Sequence, residues 1–355
     1  MYMNIVDTLK QAIEDNASDI FIVAGANISF KKAGVMYPVS CTPVTPTETR
    51  ALVEQIYQLS NGIQRSIQIL EENGEDDFSF SLNDLGRFRV NAYYQRGSMS
   101  AVLRVVRFEL PDPKEYHIPS SVLEVSSLNK GLVIVTGPTG SGKTTTLACL
   151  VDEINKTRNG HIITIEDPIE YLHRHKKCIV SQREVGHDTK DYLCALRAAL
   201  REAPDVILVG EMRDLETVSV ALTAAETGHL VLSTLHTLGA AETISRIIDV
   251  FPVQQQEQIR VQLTMTLQAV ISQQLLPASD GGMVPACEVM KSTPAIRTQI
   301  RDNKLHLIEN TMLANKDTGM ITMDDALVQL YKENLIDKDT ALQYAIHPDM
   351  VLRKI

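Results

Sequence analysis

A glycine-rich segment, GPTGSGKT at residues 137–144, has the residue types and spacing of a phosphate-binding loop. It follows the apolar run GLVIVT and precedes TTTLACLVDEINK, which has helical spacing. The glycines let backbone N–H groups turn toward phosphate oxygens at the start of a helix, whose dipole favours anions. The sequence therefore predicts a nucleotide-binding site at this loop.

The loop positions have separate predicted roles. Lys143 supplies a positive charge for the β and γ phosphates, and the Thr144 hydroxyl is a predicted Mg²⁺ ligand. The predicted nucleotide-binding residues of the loop are Gly137, Pro138, Thr139, Gly140, Ser141, Gly142, Lys143, Thr144 and Thr145.

Acidic residues follow two further apolar runs. HIITIEDPIEY ends with Glu166, Asp167 and Glu170, and DVILVGEMRD contains Glu211 after its strand-like run. In a parallel sheet, the base and the second ligand of the metal come from the ends of neighbouring strands. These carboxylates are therefore candidates for both tasks, and whether Glu166 and Glu170 act as base or as structural partners stays open.

Two histidines flank one predicted strand in TGHLVLSTLHT. His229 and His236 are seven residues apart, or about 23 Å along an extended strand at about 3.3 Å per residue. They cannot share one metal ion. His236, at the carboxyl end, is the histidine able to reach a γ-phosphate. The pair His173 and His175 is predicted to lie at the surface.

The elements that precede the loop form a predicted N-terminal α+β domain, residues 1–110. Helical spacing over residues 4–16 is followed by the strand-like DIFIVAG and by a helix with a Pro and Thr start signal. From residue 78 to 106 the apolar period changes to two, which predicts antiparallel hairpins. That period places Arg89 and Arg104 on the face opposite their apolar neighbours. Three prolines in residues 111–119 indicate a linker.

The rest of the chain, residues 120–355, alternates strand-like and helical runs, which predicts an α/β domain with a parallel sheet covered by helices on both faces. From about residue 252 the pattern predicts helices. The predicted fold class is therefore α/β, with an α+β domain first and a helical C-terminal region last.

Composition excludes several classes of protein. The 355 residues carry a net charge of -10, which disfavours nucleic acid as a stable partner. We find no run of 18 apolar residues, and the N-terminus has acids where a signal peptide needs an apolar core, so a cytoplasmic location is expected. Five separated cysteines predict no zinc site and no disulfide framework.

Four motifs in order resemble those of the secretion ATPases that drive type II secretion and type IV pili. They are residues 137–144, IEDPIEY at 165–171, GEMRDLET at 210–217 and TGHLVLSTLHT at 227–237, which are similar to that family's Walker A, Asp, Walker B and His boxes. The resemblance covers nearly the whole chain. Residues 295–304, AIRTQIRDNK, are also similar to a motif of the retraction members, from which they depart at Thr298, Gln299 and Asp302.

The resemblance implies roles for individual residues. It implies that Glu170 is the general base, that Glu211 holds the metal directly or through water, and that His236 senses the γ-phosphate. It also implies that Arg89 and Arg104 are catalytic arginines directed at a nucleotide from the N-terminal domain. Three further residues, His229, Glu166 and Arg213, are implied nucleotide contacts. The implied ligands are ATP, ADP and Mg²⁺.

The resemblance also implies a fold and a function. The N-terminal domain would be PAS-like and the second RecA-like, and six copies would form a ring. The expected function is an ATP-hydrolysing motor for type IV pilus retraction, peripheral at the cytoplasmic face of the inner membrane, where a pilus platform protein is its partner. Contact with the membrane would occur through partners only. A pilus assembly, competence or type II secretion ATPase is the nearest alternative. A nucleic-acid translocase and a nucleotide-binding scaffold are more distant ones.

Overall fold

The computed structural model describes residues 4–32, 34–60, 65–82, 85–106, 110–212 and 214–355. The chain divides into two compact units, Met1–Glu109 with Glu170–Leu172 and Leu110–Ile169 with His173–Ile355. The segment predicted as a linker belongs to the second unit. There the Cys149 thiol donates to the Pro111 carbonyl over 3.5 Å, and Ile118 is buried. Residues 111–119 therefore pack against the second unit, whereas a linker would have few such contacts.

The first unit is an α+β structure. Its helices are α1 (Ile5–Glu14), α2 (Pro46–Leu59) and α3 (Gln68–Asn73), and its strands are β1 (Asp19–Ile22), β2 (Ser29–Lys32), β3 (Val35–Pro38), β4 (Glu75–Leu82), β5 (Gly86–Gln95) and β6 (Ser98–Val106). The strands in the described residues form one antiparallel sheet in the order β3-β2-β1-β6-β5-β4. The hairpins predicted from the period of two are β4, β5 and β6.

Local signals in the sequence explain where helix α2 begins and which face it buries. Thr45 caps the helix by accepting from the Glu48 N–H, and the Glu48 carboxylate accepts from the Thr45 N–H, which forms a capping box. The apolar residues Leu52, Val53 and Ile56 lie three and four positions apart and are all buried in the core of this unit.

The second unit contains a seven-stranded sheet in the described residues. Its strands are β7 (Gly131–Thr136), β8 (Gly160–Glu166), β9 (Cys178–Glu184), β10 (Val206–Val209), β11 (Leu230–Leu235), β12 (Leu267–Pro277) and β13 (Met283–Lys291). Their order is β13-β12-β7-β11-β10-β8-β9, and every neighbouring pair is parallel except β12 with β13.

Helices connect these strands and form the C-terminal region. They are α4 (Ser120–Leu123), α5 (Lys143–Thr157), α6 (Tyr192–Ala199), α7 (Leu215–Glu226), α8 (Ala240–Asp249), α9 (Val253–Thr266), α10 (Pro294–Arg301), α11 (Ile308–Ala314), α12 (Met323–Lys332), α13 (Lys338–Gln343) and α14 (Pro348–Leu352). Short 3-10 segments occur at Glu124–Ser127, Leu305–Leu307 and Lys316–Thr318.

The sheet is buried on both faces, which explains why its central strands are continuous apolar runs. In β7, Leu132 and Ile134 join the core on one face, and Val133 and Val135 join the core on the other. The predicted arrangement of a largely parallel sheet between helices is confirmed, and so is the predicted fold class of an α+β domain followed by an α/β domain. In the described ranges, no helix has both the length and the apolar character needed to cross a bilayer.

The helical pattern predicted from about residue 252 is interrupted by two strands. Helix α9 ends at Thr266, and the next residue, Leu267, begins β12. The run Ala269–Ser272 is buried beside β7, where its backbone groups complete the ladder. Helix and strand are hard to distinguish in a short apolar run, because a central strand buried on both faces lacks alternation. The correction matters because Gln273 of β12 forms a hydrogen bond with the phosphate loop.

Candidate nucleotide-binding site

The sheet order gathers most of the predicted site at one edge of the second unit. The glycine-rich loop follows β7, His236 follows β11, Glu211 lies just beyond β10, and Glu166 is the last residue of β8. These four strands are neighbours and parallel, so their carboxyl ends lie side by side. Ligands of open α/β sheets bind at this edge.

The loop backbone has the conformation that its glycines allow. Gly140 and Gly142 have φ values of 81° and 85°, in the left-handed region where a side chain is disfavoured. Helix α5 then begins at Lys143, and no side chain in the described chain caps its N-terminus. Its first N–H groups therefore suit an anion, and this fits the phosphates of a nucleotide.

The Lys143 ammonium is held at the loop. Its Nζ donates to the carbonyls of Gly137 over 2.8 Å and Pro138 over 2.9 Å, and the residue is buried. Burial lowers the pKa of Lys143, and the nearby negative charge of Glu211 opposes that shift. The same carboxylate that is a candidate metal ligand thus lies close enough to affect the loop lysine.

The other loop residues differ in accessibility. Pro138, Thr139, Gly140 and Thr144 are exposed, and Gly142 and Thr145 are half-buried. Ser141 is buried, as is Gly137. Thr144 is exposed in the first turn of α5, and its hydroxyl and the Glu211 carboxylate are oxygen donors of the kind that Mg²⁺ prefers.

Glu211 and His236 form a pair across two neighbouring strand ends. His236 Nε2 lies 3.6 Å from Glu211 Oε2, and the His236 side chain is 50% exposed whereas that of Glu211 is 15% exposed. The segment after β11 is anchored, since the Thr136 hydroxyl at the end of β7 donates to the Thr237 carbonyl over 2.6 Å. The structure therefore links the phosphate loop strand to the segment that contains His236.

Glu166 is bound to side chains of its own sheet. Its Oε1 accepts from the Thr164 hydroxyl over 2.6 Å and from Gln182 Nε2 over 3.3 Å. These contacts favour the alternative that Glu166 is a structural partner. Glu170 is exposed and belongs to the first unit, together with Tyr171 and Leu172. Its role as the general base stays a prediction.

His229 lies at the other end of β11. It precedes Leu230, and its carbonyl accepts from the N–H of Gly131 at the start of β7 over 2.9 Å. Its Nδ1 lies 2.9 Å from the Ala224 carbonyl oxygen. The length of β11 separates His229 from the phosphate loop of its own chain, and its contact with a nucleotide stays a prediction. The predicted nucleotide contact Arg213 lies outside the described residues.

The two arginines of the first unit are direct cross-strand neighbours. Arg89 of β5 is paired with Arg104 of β6, which places both guanidinium groups on one face. Arg89 forms an ion pair with Asp77 over 2.8 Å, and Arg104 pairs with Asp19 over 3.1 Å. The arginine side chains are 37% and 60% exposed. The Arg89–Asp77 pair is exposed on both sides and so contributes little free energy, whereas Asp19, the partner of Arg104, is buried.

Two features of the site region, the burial of His173 and a contact made by Gln273, are not predicted from the sequence. His173, predicted to lie at the surface, is half-buried, and its Nδ1 is buried with no hydrogen-bond partner among the described residues. Burial lowers the pKa of His173 to about 4. Gln273 of β12, which donates to the Ser141 carbonyl of the phosphate loop, is not among the residues predicted from the sequence. The only signal for it in the sequence was a short polar group, SQQ at residues 272–274, between apolar residues.

A second group of metal-capable side chains lies among the C-terminal helices. Glu309, Asp324 and His347 offer ligand atoms within 4.8 Å of one another. Asp324 accepts from the N–H groups of Ile346 over 2.7 Å and His347 over 3.0 Å, and His347 Nδ1 lies 3.1 Å from its carboxylate. These contacts join the loop before α14 to α12, which is a sufficient structural role.

Comparison with known proteins assigns the family. Residues 2–342 match the family described as Type II/IV secretion system protein. The chain therefore belongs to that family, and the resemblance to secretion ATPases that the four motifs indicate is confirmed.

Individual relatives match over nearly the full length. The type IV pilus retraction ATPase PilT of Pseudomonas aeruginosa is 44% identical over 347 residues, which cover 98% of this chain and 99% of that protein. A twitching motility protein of Neisseria gonorrhoeae is 42% identical, over 96% of this chain and 90% of that protein. A crystal structure of the pilus retraction motor PilT with bound ADP superposes with a TM-score of 0.89 at 49% identity, over 99% of both chains.

Proposed function

We propose that this protein is an ATP-hydrolysing motor that powers type IV pilus retraction. The observation that carries the proposal is the arrangement at the sheet edge. The uncapped start of α5 and Lys143 lie at the loop, and Glu211 pairs with His236 over 3.6 Å beside it. Support comes from a relative named as a pilus retraction ATPase and from a related retraction motor crystallised with ADP.

Each of the predicted site residues has a proposed task. The N–H groups of the loop and the Lys143 ammonium hold the phosphates of ATP. Thr144 and Glu211 hold Mg²⁺, which when bound neutralises charge that develops on the phosphates. Glu170 accepts the proton of the attacking water as general base. His236 lies 3.6 Å from Glu211, a proposed metal ligand. The position of the His236 ring is therefore proposed to change with the nucleotide that the loop binds.

Arg89 and Arg104 are proposed to act on the nucleotide from the first unit. Two guanidinium groups on one face of a sheet provide N–H donors, and the planar geometry of each guanidinium matches phosphate oxygens. Such arginines stabilise the charge of the transition state in other phosphate-transferring enzymes. Loss of the γ-phosphate would remove that attraction, and the resulting movement of one unit is the proposed source of mechanical work.

The proposal includes an assembly and a location. We propose a homo-hexamer at the cytoplasmic face of the inner membrane, bound to the platform protein of the pilus machine. Nucleic acid is not a proposed partner, because the net charge is -10.

The direction of the motor is tested in cells. Deletion of the gene is expected to leave excess surface pili and to abolish twitching. The wild-type gene should restore the normal number of pili and twitching, whereas the gene with Lys143→Ala should restore neither. Cells without surface pili would instead support the assembly alternative and contradict the proposal. Equal restoration by Lys143→Ala would contradict a motor driven by this loop.

A further inference from the structure

Gln273 connects the phosphate loop to helix α5 from a strand that is distant in sequence. Its Nε2 donates to the Ser141 carbonyl over 2.6 Å, and its Oε1 accepts from the Thr146 hydroxyl over 2.7 Å. The residue is only 1% exposed. Both ends of one buried carboxamide are therefore used, one on the loop and one on the first turns of the helix.

The fit between β12 and the loop is close. A Cβ atom on Gly137 would lie 2.1 Å from the Gln273 carbonyl oxygen, and a Cβ on Gly142 would lie 2.9 Å from Gln273 Nε2. Distances under 3.0 Å leave no room for a side chain at Gly137 without a movement of backbone. The lack of a side chain at Gly137 and Gly142 thus allows the close contact with Gln273 as well as the backbone conformation of the loop.

The neighbouring residue of β12 holds the segment beyond His236. Ser272 Oγ accepts from the Gly239 N–H over 2.8 Å. Successive side chains of a strand point to opposite faces, so Ser272 and Gln273 reach different loops. The middle of β12 therefore contacts both the phosphate loop and the segment that follows β11.

The peptide between Ser141 and Gly142 explains how Gln273 can affect phosphate binding. A peptide group is planar, so the direction of the Ser141 carbonyl also fixes the direction of the Gly142 N–H. That N–H belongs to the loop motif, and anion binding by backbone N–H groups depends on their being oriented before the ligand arrives.

We propose that Gln273 is a positioning residue that holds the phosphate loop in its nucleotide-binding conformation. This inference rests on the proposed function only in that the loop binds a nucleotide. Gln273 acts through the Ser141 carbonyl and through Thr146, and it makes no contact of its own with the ligand. The chemistry of the ligand is that of a nucleoside diphosphate or triphosphate.

The test compares two adjacent glutamines in the full-length protein. Gln273→Met keeps the length of the side chain and removes both hydrogen bonds, the one with the loop and the one with helix α5. Gln274→Met is the matched control, because Gln274 faces the C-terminal helices and donates to the Tyr344 carbonyl over 3.3 Å. The measurements are the Kd for ADP by calorimetry, the KM and kcat for ATP, and the thermal midpoint.

We expect Gln273→Met to raise the Kd for ADP and the KM for ATP about tenfold, since two buried polar groups lose their partner. Gln274→Met should change the Kd less than about twofold. A Gln273→Met protein with a lower thermal midpoint and the wild-type Kd would overturn the inference and leave Gln273 a purely structural residue. A wild-type protein that binds no ADP would instead overturn the proposed function.

A second pair of variants keeps the inference testable if Gln273→Met does not fold. Thr146→Ser retains the hydroxyl that Gln273 accepts from, and Thr146→Val removes it. We expect the wild-type Kd for ADP in the first and a Kd raised about fivefold in the second, in line with the loss of one buried hydrogen bond. Equal Kd values for the two variants would overturn the inference.

Discussion

His236 Nε2 lies 3.6 Å from Glu211 Oε2, although the two residues follow different strands, β11 and β10. The pairing arises because β10 and β11 are parallel neighbours, with Val209 beside Ser233. The Glu211 carboxylate also influences Lys143 electrostatically. One acidic group thus connects the phosphate loop with the histidine of the next strand end.

This relationship predicts coupled effects of substitution. Glu211→Gln and His236→Ala should each lower kcat for ATP about 100-fold, since each removes a group that we propose acts beside the reacting phosphate. The double variant should lose less than the product of the two, with a coupling free energy of about 1 kcal/mol or more. Steady-state kinetics on all four proteins measure it. His306→Ala, an exposed histidine far along the chain, is the control. Fully additive losses would show that the pair does not act as a unit.

Lys143 should make nucleotide binding dependent on pH. Burial lowers the pKa of its ammonium in the free protein, with an opposing effect from Glu211, and bound phosphates raise that pKa. Between the Lys143 pKa of the free protein and the higher Lys143 pKa of the complex, ADP binding therefore takes up a proton. In that range the affinity for ADP falls as the pH rises, by at most about tenfold per pH unit. Calorimetry of ADP binding in buffers of different ionisation enthalpy detects the proton. Lys143→Arg should remove this dependence, because arginine stays charged.

His173 should make the folded protein sensitive to acid. Burial lowers its pKa in the fold to about 4, from an ordinary value of 6.5. Between these values the unfolded chain binds more protons, so the free energy of unfolding falls as pH decreases from about 6.5 to about 4, by at most about 1.4 kcal/mol per unit. Urea unfolding at several pH values measures the slope. His173→Gln should reduce it and His306→Gln should not. An unchanged slope in His173→Gln would contradict the burial of the neutral ring.

Arg104 should affect turnover more than binding. Arg104→Ala is expected to lower kcat at least about 100-fold, as the loss of a transition-state arginine does, with a Kd for ADP within about threefold of wild type. Its guanidinium donates to Asp19 over 3.1 Å, and the arginine side chain of that pair is exposed. Arg96→Ala, at the tip of the same hairpin, controls for a lost positive charge. Loss of binding and folding together would indicate a structural role instead.

Much of the site was predictable because its signals are local. The glycines of the loop at residues 137–144 indicate its backbone conformation, and Glu211 and His236 follow short apolar runs that are buried strands in the structure. Parallel topology then places the ends of such strands at one edge.

Other parts of the site depend on contacts between distant residues. Gln273 meets the loop from 132 positions away, and β12 resembles a continuation of α9 because a strand buried on both faces lacks alternation. The partners of Arg89 and Arg104 depend on the registers of β4, β5, β6 and β1, which no local pattern specifies. The burial of His173 similarly results from packing that its own neighbours in sequence do not reveal.

ATP hydrolysis by the purified full-length protein tests the account most directly. With Mg²⁺ we expect steady turnover of ATP, a loss of at least about 100-fold in both Lys143→Ala and Glu170→Gln, and retained ADP binding in Glu170→Gln. Turnover in Lys143→Ala at the wild-type rate, or a wild-type protein that binds ATP and Mg²⁺ without cleaving it, would contradict the account.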